Sequence, residues 1–424
     1  MANQVDMSEI GRSGLRQWGG YVYEEFLKDL YGIYGIRTYK EMSENDPVVG
    51  AMLFAIEMML RQVSWHVEPA SADNADQEAA DFVESCLDDM SQTWADTISE
   101  ILTMLPYGWS YHEIVYKKRL GQSRDPSKNS KYNDGRIGWR KLPLRAQDTL
   151  LRWQFDDTGG LQGMIQSAPP TYETTFIPIE KALLFRTRTN KGNPEGRSIL
   201  RTAYRPWYFK KRIEVIEGIG IERDLAGFPV IRPANGVDLN TVPDIFDSED
   251  PDMVRLRNEL QRIVRNIRRD EMEGAVLGGV WDIKLLSSGG SRQIDVSAVI
   301  NRYDQRIAMS VLADFILLGS EQVGSFALAT SKSDIFMQAM NTFLDMICEV
   351  FNRYAIPRLI ALNPGFPQEE LPKLRHGQVE NVNLQELGQF IKDTAGSGFF
   401  TPGDPATEEA LRRKAGLPSL PDEE

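Results

Sequence analysis

The chain has 424 residues, of which 42% are hydrophobic and 26% charged, a composition typical of globular proteins. This length predicts two to three structural units, and no apolar run approaches the roughly 18 residues that a membrane span needs. The net charge of −13 argues against a protein that grips nucleic acid over its whole surface, because such affinity depends on Lys and Arg. Passing contact with DNA remains compatible with this charge. No secretory signal is predicted, and Cys86 and Cys348 are expected to be buried thiols in a reducing cytosol.

The N-terminal part begins with an aromatic-rich stretch at residues 21–42, predicted to form a short helix and an arm that packs on its own subunit or on a neighbour. A helix is predicted next, because Asn45 or Asp46 provides a cap and Pro47 suits the first turn. Its buried face is expected to carry Val49, Leu53, Ile56, Leu60 and Val63. The following strand contains His66, which has no His or Cys nearby and is interpreted as structural.

Residues 75–107 are predicted to be helical and acidic, with a strand after the glycine turn at Gly108. A polar loop at 119–136 leads into four alternating segments. The sequence DDTGG between the second and third of these predicts a β-hairpin. The region is therefore expected to be a β-rich layer packed beside helices.

The sequence KALLFRTR predicts a strand and NKGNPEG a turn, after which Ser198 is expected to start a helix that runs to about Ala226. Lys210, Lys211 and Arg212 form a basic cluster on this helix, interpreted either as a solvated face or as a contact with nucleic acid. Residues 227–290 then predict a small α/β unit, with a strand at FPVIRP, a helix from Asp252 to about Glu273 and two further strands.

Two apolar-patterned helices enclose a polar, glycine-bearing segment between residues 296 and 363. The first repeats Ile300, Tyr303, Ile307, Val311 and Phe315 on one face. The second repeats apolar residues at the same spacing: Phe336, Met340, Phe343, Ile347, Val350 and Tyr354. Its start is predicted by a capping box of Ser331 and Asp334, and its bend or end by Pro357. The intervening loop is interpreted as functional or, alternatively, as a surface connector.

No catalytic motif is present in the sequence. There is no GxxxxGK[ST] loop, and Arg223 stands where a dinucleotide fingerprint requires its third glycine. The three histidines, His66, His112 and His376, are far apart, so no metal cage or His-activated nucleophile is predicted. The expectation is a protein without enzymatic activity, metal or cofactor, although carboxylates brought together in space could still bind Mg²⁺.

The order of these segments resembles the portal proteins of tailed bacteriophages, especially those of Mu-like phages and prophages. The resemblance rests on DPVVGAMLFAIEMMLRQVSWHVEP, YGWSYHEIVY and KALLFRTRTNKGNPEGRSILRTAY in the correct order. It implies an α+β portal fold whose parts are expected at the following positions: wing, 1–197; first stem helix, 198–226; clip, 227–290; second stem helix, 291–318; tunnel loop, 319–332; tunnel helix, 333–363; C-terminal wing or crown segment and tail, 364–424. The short C-terminal part implies a reduced crown.

The resemblance also implies a function and partners. The protein is expected to form a homo-oligomeric ring, generally a dodecamer in this family, at one capsid vertex of the virion, after synthesis in the cytoplasm of a bacterial host. Double-stranded DNA would pass through the channel without sequence specificity, along the tunnel-loop residues Gln322, Val323, Ser325, Phe326 and Lys332. Lys210, Lys211 and Arg212 would be stem contacts. The expected protein partners are the terminase large subunit, the major capsid or scaffold protein and head-completion proteins, without a membrane. A head-to-tail adaptor and a metal-dependent nucleic-acid enzyme are the alternatives.

Overall fold

The computed structural model describes residues 11–226, 228–238, 242, 249–266, 281–286, 295–311 and 326–379. Its α-helices, in chain order, are α1 (Gly32–Asn45), α2 (Pro47–Arg61), α3 (Asn74–Asp88), α4 (Trp94–Leu102), α5 (Met104–Tyr107), α6 (Tyr204–Ala226), α7 (Pro251–Asn266), α8 (Val296–Ser310), α9 (Phe326–Val350) and α10 (Ile356–Ala361). No helix in the described ranges is both long and apolar enough to cross a membrane.

The strands form small antiparallel sheets. In chain order they are β1 (Gln17–Trp18), β2 (Tyr21–Val22), β3 (Trp65–Glu68), β4 (Trp109–Glu113), β5 (Val115–Lys118), β6 (Ile137–Lys141), β7 (Leu144–Arg145), β8 (Leu150–Phe155), β9 (Leu161–Ser167), β10 (Thr174–Pro178), β11 (Ala182–Arg186), β12 (Phe228–Pro233), β13 (Trp281–Leu286) and β14 (Lys373–His376). The three-stranded sheets have the orders β10-β9-β8 and β11-β4-β7, and the pairs are β1-β2, β3-β14, β5-β6 and β12-β13. Helices mixed with small sheets confirm the predicted α+β class.

The chain divides into two compact units. The larger unit comprises Met1–Arg201 and Phe315–Glu424, and the inserted unit comprises Thr202–Asp314. The two parts of the larger unit meet where β3 pairs with β14, Trp65 lying opposite His376 and Glu68 opposite Lys373. The sheet therefore joins residues that are separated by the whole inserted unit.

One part of the core of the larger unit is an aromatic cluster around Phe351, whose side chain is fully buried. Three aromatic rings surround it, with centroid distances of 5.3 Å to Trp94, 6.1 Å to Trp139 and 5.9 Å to Phe185. A helix from the C-terminal part thus packs against the N-terminal layer. Such aromatic contacts favour edge-on or tilted geometry and stabilise beyond the area that they bury.

The start of α2 and the β8-β9 hairpin confirm the sequence predictions. The Asp46 carboxylate accepts hydrogen bonds from the backbone N–H groups of Val48 and Val49 at 3.0 and 3.1 Å, as an N-cap should. In the hairpin, Asp156 Oδ1 accepts from the N–H groups of Thr158 and Gly160 at 2.9 and 2.7 Å. Both features depend on residues within four positions of one another, which local sequence encodes well.

Two predicted elements of the N-terminal half are broken in the structure. The acidic helical segment at 75–107 is three helices, because Thr93 caps α4 by accepting from the N–H of Asp96 at 3.1 Å. The strand after Gly108 is two strands in different sheets, β4 and β5, divided at Ile114. In β4 the residues from Trp109 to His112 are all buried, so the alternation expected of a half-exposed strand is absent.

The inserted unit contains α6, β12, α7, β13 and α8. Helix α6 begins at Tyr204, six residues after the predicted Ser198, and a short 3₁₀ turn occupies Ile199–Arg201. Helix α8 starts at Val296 as predicted, but it ends at Ser310 with Val311 as its C-cap, so the predicted continuation of the helix through Val311 is wrong. Residues 312–318 and parts of the predicted 227–290 unit, including the strand at 275–280, lie outside the described residues.

Helix α9 departs from prediction at both ends. It begins at Phe326, so the predicted start at Ser331 is wrong, since the run Phe326–Ala329 favours helix and extends it in the N-terminal direction. At the other end a π-helical turn occupies Phe351–Ala355 before α10. This wider turn shifts the side-chain register, which leaves Tyr354, predicted to be buried, 42% exposed.

Candidate functional site

The predicted channel loop is only partly within the described residues. Gln322, Val323 and Ser325 lie outside them. Phe326 opens α9 and Lys332 lies within the same helix, so the predicted non-helical segment is too long at its C-terminal end. Contact of these residues with DNA stays a prediction.

The predicted basic cluster on α6 is contiguous in sequence but not in space. Within the inserted unit, the Lys210 ammonium is buried and lies 2.6 Å from the Asp304 carboxylate on α8. Lys211 lies over the Trp207 ring at 5.2 Å and Arg212 over the Tyr208 ring at 4.5 Å. Successive helical residues are rotated by about 100°, which separates the three side chains. The structure thus gives Lys210 an internal partner, whereas Lys211 and Arg212 are exposed.

The face of α6 opposite Lys210 carries an exposed apolar stripe. Val215, Ile216 and Ile219 are 57%, 67% and 45% exposed. At 3.6 residues per turn these three side chains share a face with Tyr208 and Arg212, and this face points away from the Lys210–Asp304 ion pair. Branched aliphatic side chains grouped on a helix face are typical of a surface that another element covers.

The aromatic N-terminal arm, residues 16–31, is tied to the larger unit by charge. The Glu25 carboxylate makes a bidentate pair with Arg201, at 2.5 and 2.8 Å, and Glu24 lies 3.1 Å from Lys191. Partial burial alone raises the pKa of Glu25, but the bonds from Arg201 and the backbone N–H of Leu27 outweigh it and lower the pKa. These ties fix the arm on its own subunit, while Trp18 and Phe26 remain 81% and 82% exposed.

Two buried titratable groups of the larger unit, His112 and Cys86, have structural roles. Burial lowers the pKa of His112 to about 4, and its Nδ1 lies 2.8 Å from the carbonyl oxygen of Leu142, so this imidazole is neutral at physiological pH. Burial also raises the pKa of the Cys86 thiol to about 11, which disfavours the nucleophilic thiolate. Among the described residues no group of three His, Cys, Asp or Glu side chains is arranged to hold a metal ion.

Sequence reasoning missed several positioning contacts. Lys117 and Asp89 form an ion pair at 3.0 Å with both side chains buried, and Glu25 and Arg201 are 176 positions apart. No periodicity or motif marks either pair. The only local signal was the interruption of the apolar pattern around Asp88 and Asp89, which coincides with the end of α3.

Solved structures with a similar fold come from gene transfer agent particles. The chain is similar to one in the neck of an empty gene transfer agent particle, with a TM-score of 0.53, 13% identity and coverage of 90% of this chain and 94% of that chain. A chain from the virion of a native gene transfer agent particle gives a TM-score of 0.52 and 14% identity over the same shares. An HK97 family phage portal protein from Corynebacterium diphtheriae gives a TM-score of 0.35 and 13% identity, with coverage of 78% of this chain and 92% of that chain. At this level of identity the first two similarities show the fold alone, which this chain shares with chains of gene transfer agent particles.

A family model described as the portal protein of Mu bacteriophage matches residues 36–417. The match covers most of the 424 residues, and the chain belongs to this family of phage portal proteins. The family resemblance inferred from the sequence is thereby confirmed.

Proposed function

We propose that copies of this chain assemble into a closed ring at one capsid vertex, and that genomic DNA enters and leaves the head through its channel. The family match over residues 36–417 is the observation that carries this proposal. A dodecamer is the expected ring, as in the family generally. The protein acts as a structural component without catalytic activity of its own, made in the host cytoplasm and then incorporated into the virion.

Two surfaces support assembly. A ring is built from one heterologous interface repeated around an axis, so each subunit must present apolar side faces. The stripe of Val215, Ile216 and Ile219 on α6 is such a face, and the exposed Trp18 and Phe26 of the arm form a second.

The main channel contacts are assigned to the segment that precedes α9 and to the first residue of that helix, Phe326. Sliding of DNA requires weak contacts that do not depend on base sequence. Gln322, Val323, Ser325 and Phe326 suit this role. A separate stem contact with DNA is assigned to Lys211, which is exposed beside the apolar stripe, whereas Arg212 lies on the stripe itself. Lys210 is left out of this role, because Asp304 already binds its ammonium group.

The expected protein partners are assigned to the segments that the family resemblance defines. We assign the wing to 1–197, the stem helices to 198–226 and 291–318, the clip to 227–290 and the tunnel helix to 333–363. The clip is the proposed docking surface for the terminase large subunit and for head-completion proteins, and the wing faces the major capsid or scaffold protein.

The test is native mass spectrometry and electron microscopy of the purified full chain, followed by a packaging assay. We expect a closed ring, and replacement of Val323–Phe326 by a Gly-Ser linker should retain the ring but reduce packaged DNA per head. A matched control replaces Arg124–Ser127, an exposed stretch of the 119–136 loop, by the same linker. A chain that stays monomeric at micromolar concentration would contradict the ring, and normal packaging by the Val323–Phe326 variant would contradict the channel assignment.

A further inference from the structure

A large aromatic pocket lies between the N-terminal arm and the loop that follows β11, entirely within the larger unit. Its volume is about 730 Å³, and nine of its lining residues are aromatic. This volume is in the range of pockets that hold ligands, about 300–1,000 Å³. The loop is held in place by Gly196, whose positive φ of 56° and lack of a Cβ allow its close approach to the carbonyl oxygen of Gly108.

Glu195 contributes a carboxylate to this pocket. Its Oε1 accepts a hydrogen bond from the indole N–H of Trp153 at 3.2 Å, and the hydroxyl of Tyr31 is close enough for the Glu195 charge to raise the tyrosine pKa further. No Lys or Arg of the described residues forms an ion pair with Glu195. The enclosing protein raises the pKa of Glu195 to about 7, because the bond from Trp153 offsets burial only in part. The pocket thus holds a carboxylate whose charge the protein itself leaves uncompensated.

The positive charges of the pocket lie at its exposed rim. Arg152, Arg188 and Arg197 line it and are exposed, and no salt bridge within the described residues occupies them. Arg201 also lines the pocket, but Glu25 binds its guanidinium in the bidentate pair. The charge pattern is therefore a negative interior among aromatic rings, surrounded by a positive rim.

We propose that this pocket binds an arginine side chain of another polypeptide, with acidic residues flanking that arginine on the rim. A guanidinium stacks on aromatic rings and donates planar hydrogen bonds to a carboxylate, so it fits Glu195 together with the neighbouring rings of Tyr23 and Tyr31, whose centroids are 5.3 Å apart. Acidic flanks complement Arg152, Arg188 and Arg197. The pocket lies completely within a single larger unit. Its aromatic surround shares Trp18 and Phe26 with the assembly surface proposed above, so a neighbouring copy is one possible source of the arginine.

The surroundings favour a polypeptide over a small free amine. Trp18, which pairs with the pocket residue Tyr21, and Phe26 are each more than four-fifths exposed, and Tyr34 is 61% exposed. A small cation would leave this aromatic surface in water and would meet the positive rim without any compensating charge. Aromatic side chains around one charged anchor are typical of protein–protein interfaces.

The binding experiment uses capped tripeptides and the purified full chain at pH 8, where Glu195 is ionised. Affinities for Ac-Glu-Arg-Glu-NH₂, Ac-Lys-Arg-Lys-NH₂, the citrulline analogue of the first peptide and free agmatine are measured by titration calorimetry. We expect Ac-Glu-Arg-Glu-NH₂ to bind at least about tenfold more tightly than the citrulline peptide, because citrulline is nearly isosteric but uncharged. The lysine-flanked peptide and agmatine should bind more weakly than Ac-Glu-Arg-Glu-NH₂.

Variants test the contributions of Glu195 and of the rim arginines separately. Glu195→Gln should abolish the preference for arginine over citrulline, whereas Glu180→Gln, an exposed carboxylate outside the pocket, should leave it unchanged. The double variant Arg188→Ser/Arg197→Ser should retain that preference but lose the preference for acidic flanks, and Arg124→Ser is its control. Circular dichroism checks that each variant is folded.

Equal binding of arginine and citrulline peptides by the parent protein would overturn the proposal, and this comparison requires no variant. If agmatine binds as tightly as Ac-Glu-Arg-Glu-NH₂, the proposal that the bound group belongs to a polypeptide is wrong. Unchanged binding by folded Glu195→Gln would overturn the site itself. If Glu195→Gln loses peptide binding and also weakens ring assembly, the arginine comes from a neighbouring copy and the proposal stands.

Discussion

Helices α9 and α6 carry apolar residues at the same helical spacing but with opposite burial. In α9, Phe336, Met340, Leu344 and Ile347 are all at most 2% exposed within the larger unit. In α6, the stripe of Val215, Ile216 and Ile219 is largely exposed. Periodicity therefore predicts that a helix face will be covered, but the structure decides whether the same chain covers it. The uncovered face is the one to associate with an intermolecular surface.

The largest expected effect is in the covered region. Phe351→Ala should lower the free energy of unfolding by about 4 kcal/mol, because it empties a fully buried site surrounded by Trp94, Trp139 and Phe185. Chemical denaturation of the purified chain measures the change. Tyr354→Ala, at the exposed position of the same π-helical turn, is the control and should cost far less.

The buried ion pair tests whether polar groups of the larger unit contribute as much to the free energy of unfolding as its aromatic core does. Lys117→Met should lower the free energy of unfolding by about 3 kcal/mol, since it leaves the buried Asp89 carboxylate without the ammonium group at 3.0 Å. Burial alone raises the pKa of Asp89, but bonds from the Lys131 N–H, Ser130 and Lys117 lower it overall. The stability contributed by Asp89 is therefore present above the unfolded pKa of about 3.8 and is lost as pH falls through its lower folded pKa.

Denaturation at pH 7 and at pH 3 measures both parts of this prediction. The difference between Lys117→Met and the parent should shrink at the lower pH as Asp89 becomes protonated. Lys128→Met serves as the control, since its pair with Asp125 is exposed. If Lys117→Met lowers the free energy of unfolding by less than about 0.5 kcal/mol, the pair contributes no more than a surface ion pair.

Glu195→Gln should stabilise the protein, and only at higher pH. The folded pKa of about 7 exceeds the value of 4.5 for a free carboxyl, so the folded state retains a proton that the unfolded state loses. Stability of the parent chain therefore falls as pH rises from about 4.5 to 7. We expect the variant to exceed the parent by about 2 kcal/mol at pH 8 and to equal it at pH 4. Thermal melts across this range provide the measurement, and a constant difference at all pH values would contradict the prediction.

The smallest effect on the stability of a single subunit is expected on the uncovered face. Val215→Ser/Ile216→Ser should change the free energy of unfolding of dissociated subunits by no more than about 0.5 kcal/mol, because exposed side chains lose little burial. Assembly should weaken strongly in sedimentation velocity. The control is Leu120→Ser, which alters an exposed apolar residue of the larger unit. Normal assembly of the double variant would mean that this stripe lies outside the subunit interface.

Local sequence signals predicted the features that depend on neighbouring residues. The cap at Asn45 or Asp46, which the structure assigns to Asp46, and the Asp156 hairpin follow from residue types within one turn of each other. The start of α8 at Val296 was predicted instead from the apolar repeat that begins at Ile300. The family resemblance supplied the order of the larger segments. Neither source predicted the π-helical turn that exposes Tyr354, because its wider register becomes visible only when the helix packs.

Contacts between distant residues were beyond sequence reasoning for a physical reason. The amide of Asn363 bonds both the N–H and the carbonyl oxygen of Ile137, 226 positions earlier, at 2.9 and 3.0 Å. Asparagine at the end of a helix is consistent with many local roles, so its type does not reveal this partner. The same limit applies to Glu195, because its surroundings form only where the N-terminal arm and β8 meet the loop that follows β11.

The pairing of β3 with β14 also determines the order in which the protein can fold during synthesis. Residues 65–68 emerge from the ribosome early, but their partner strand at 373–376 follows some 300 residues later. At about 5–20 residues per second, the N-terminal layer waits at least about 15 seconds for this strand and for Phe351. The inserted unit is complete within that interval, so it is free to fold first while the apolar surface of the larger unit is still uncovered. A chaperone that holds nascent chains would have its longest opportunity to act on that N-terminal layer.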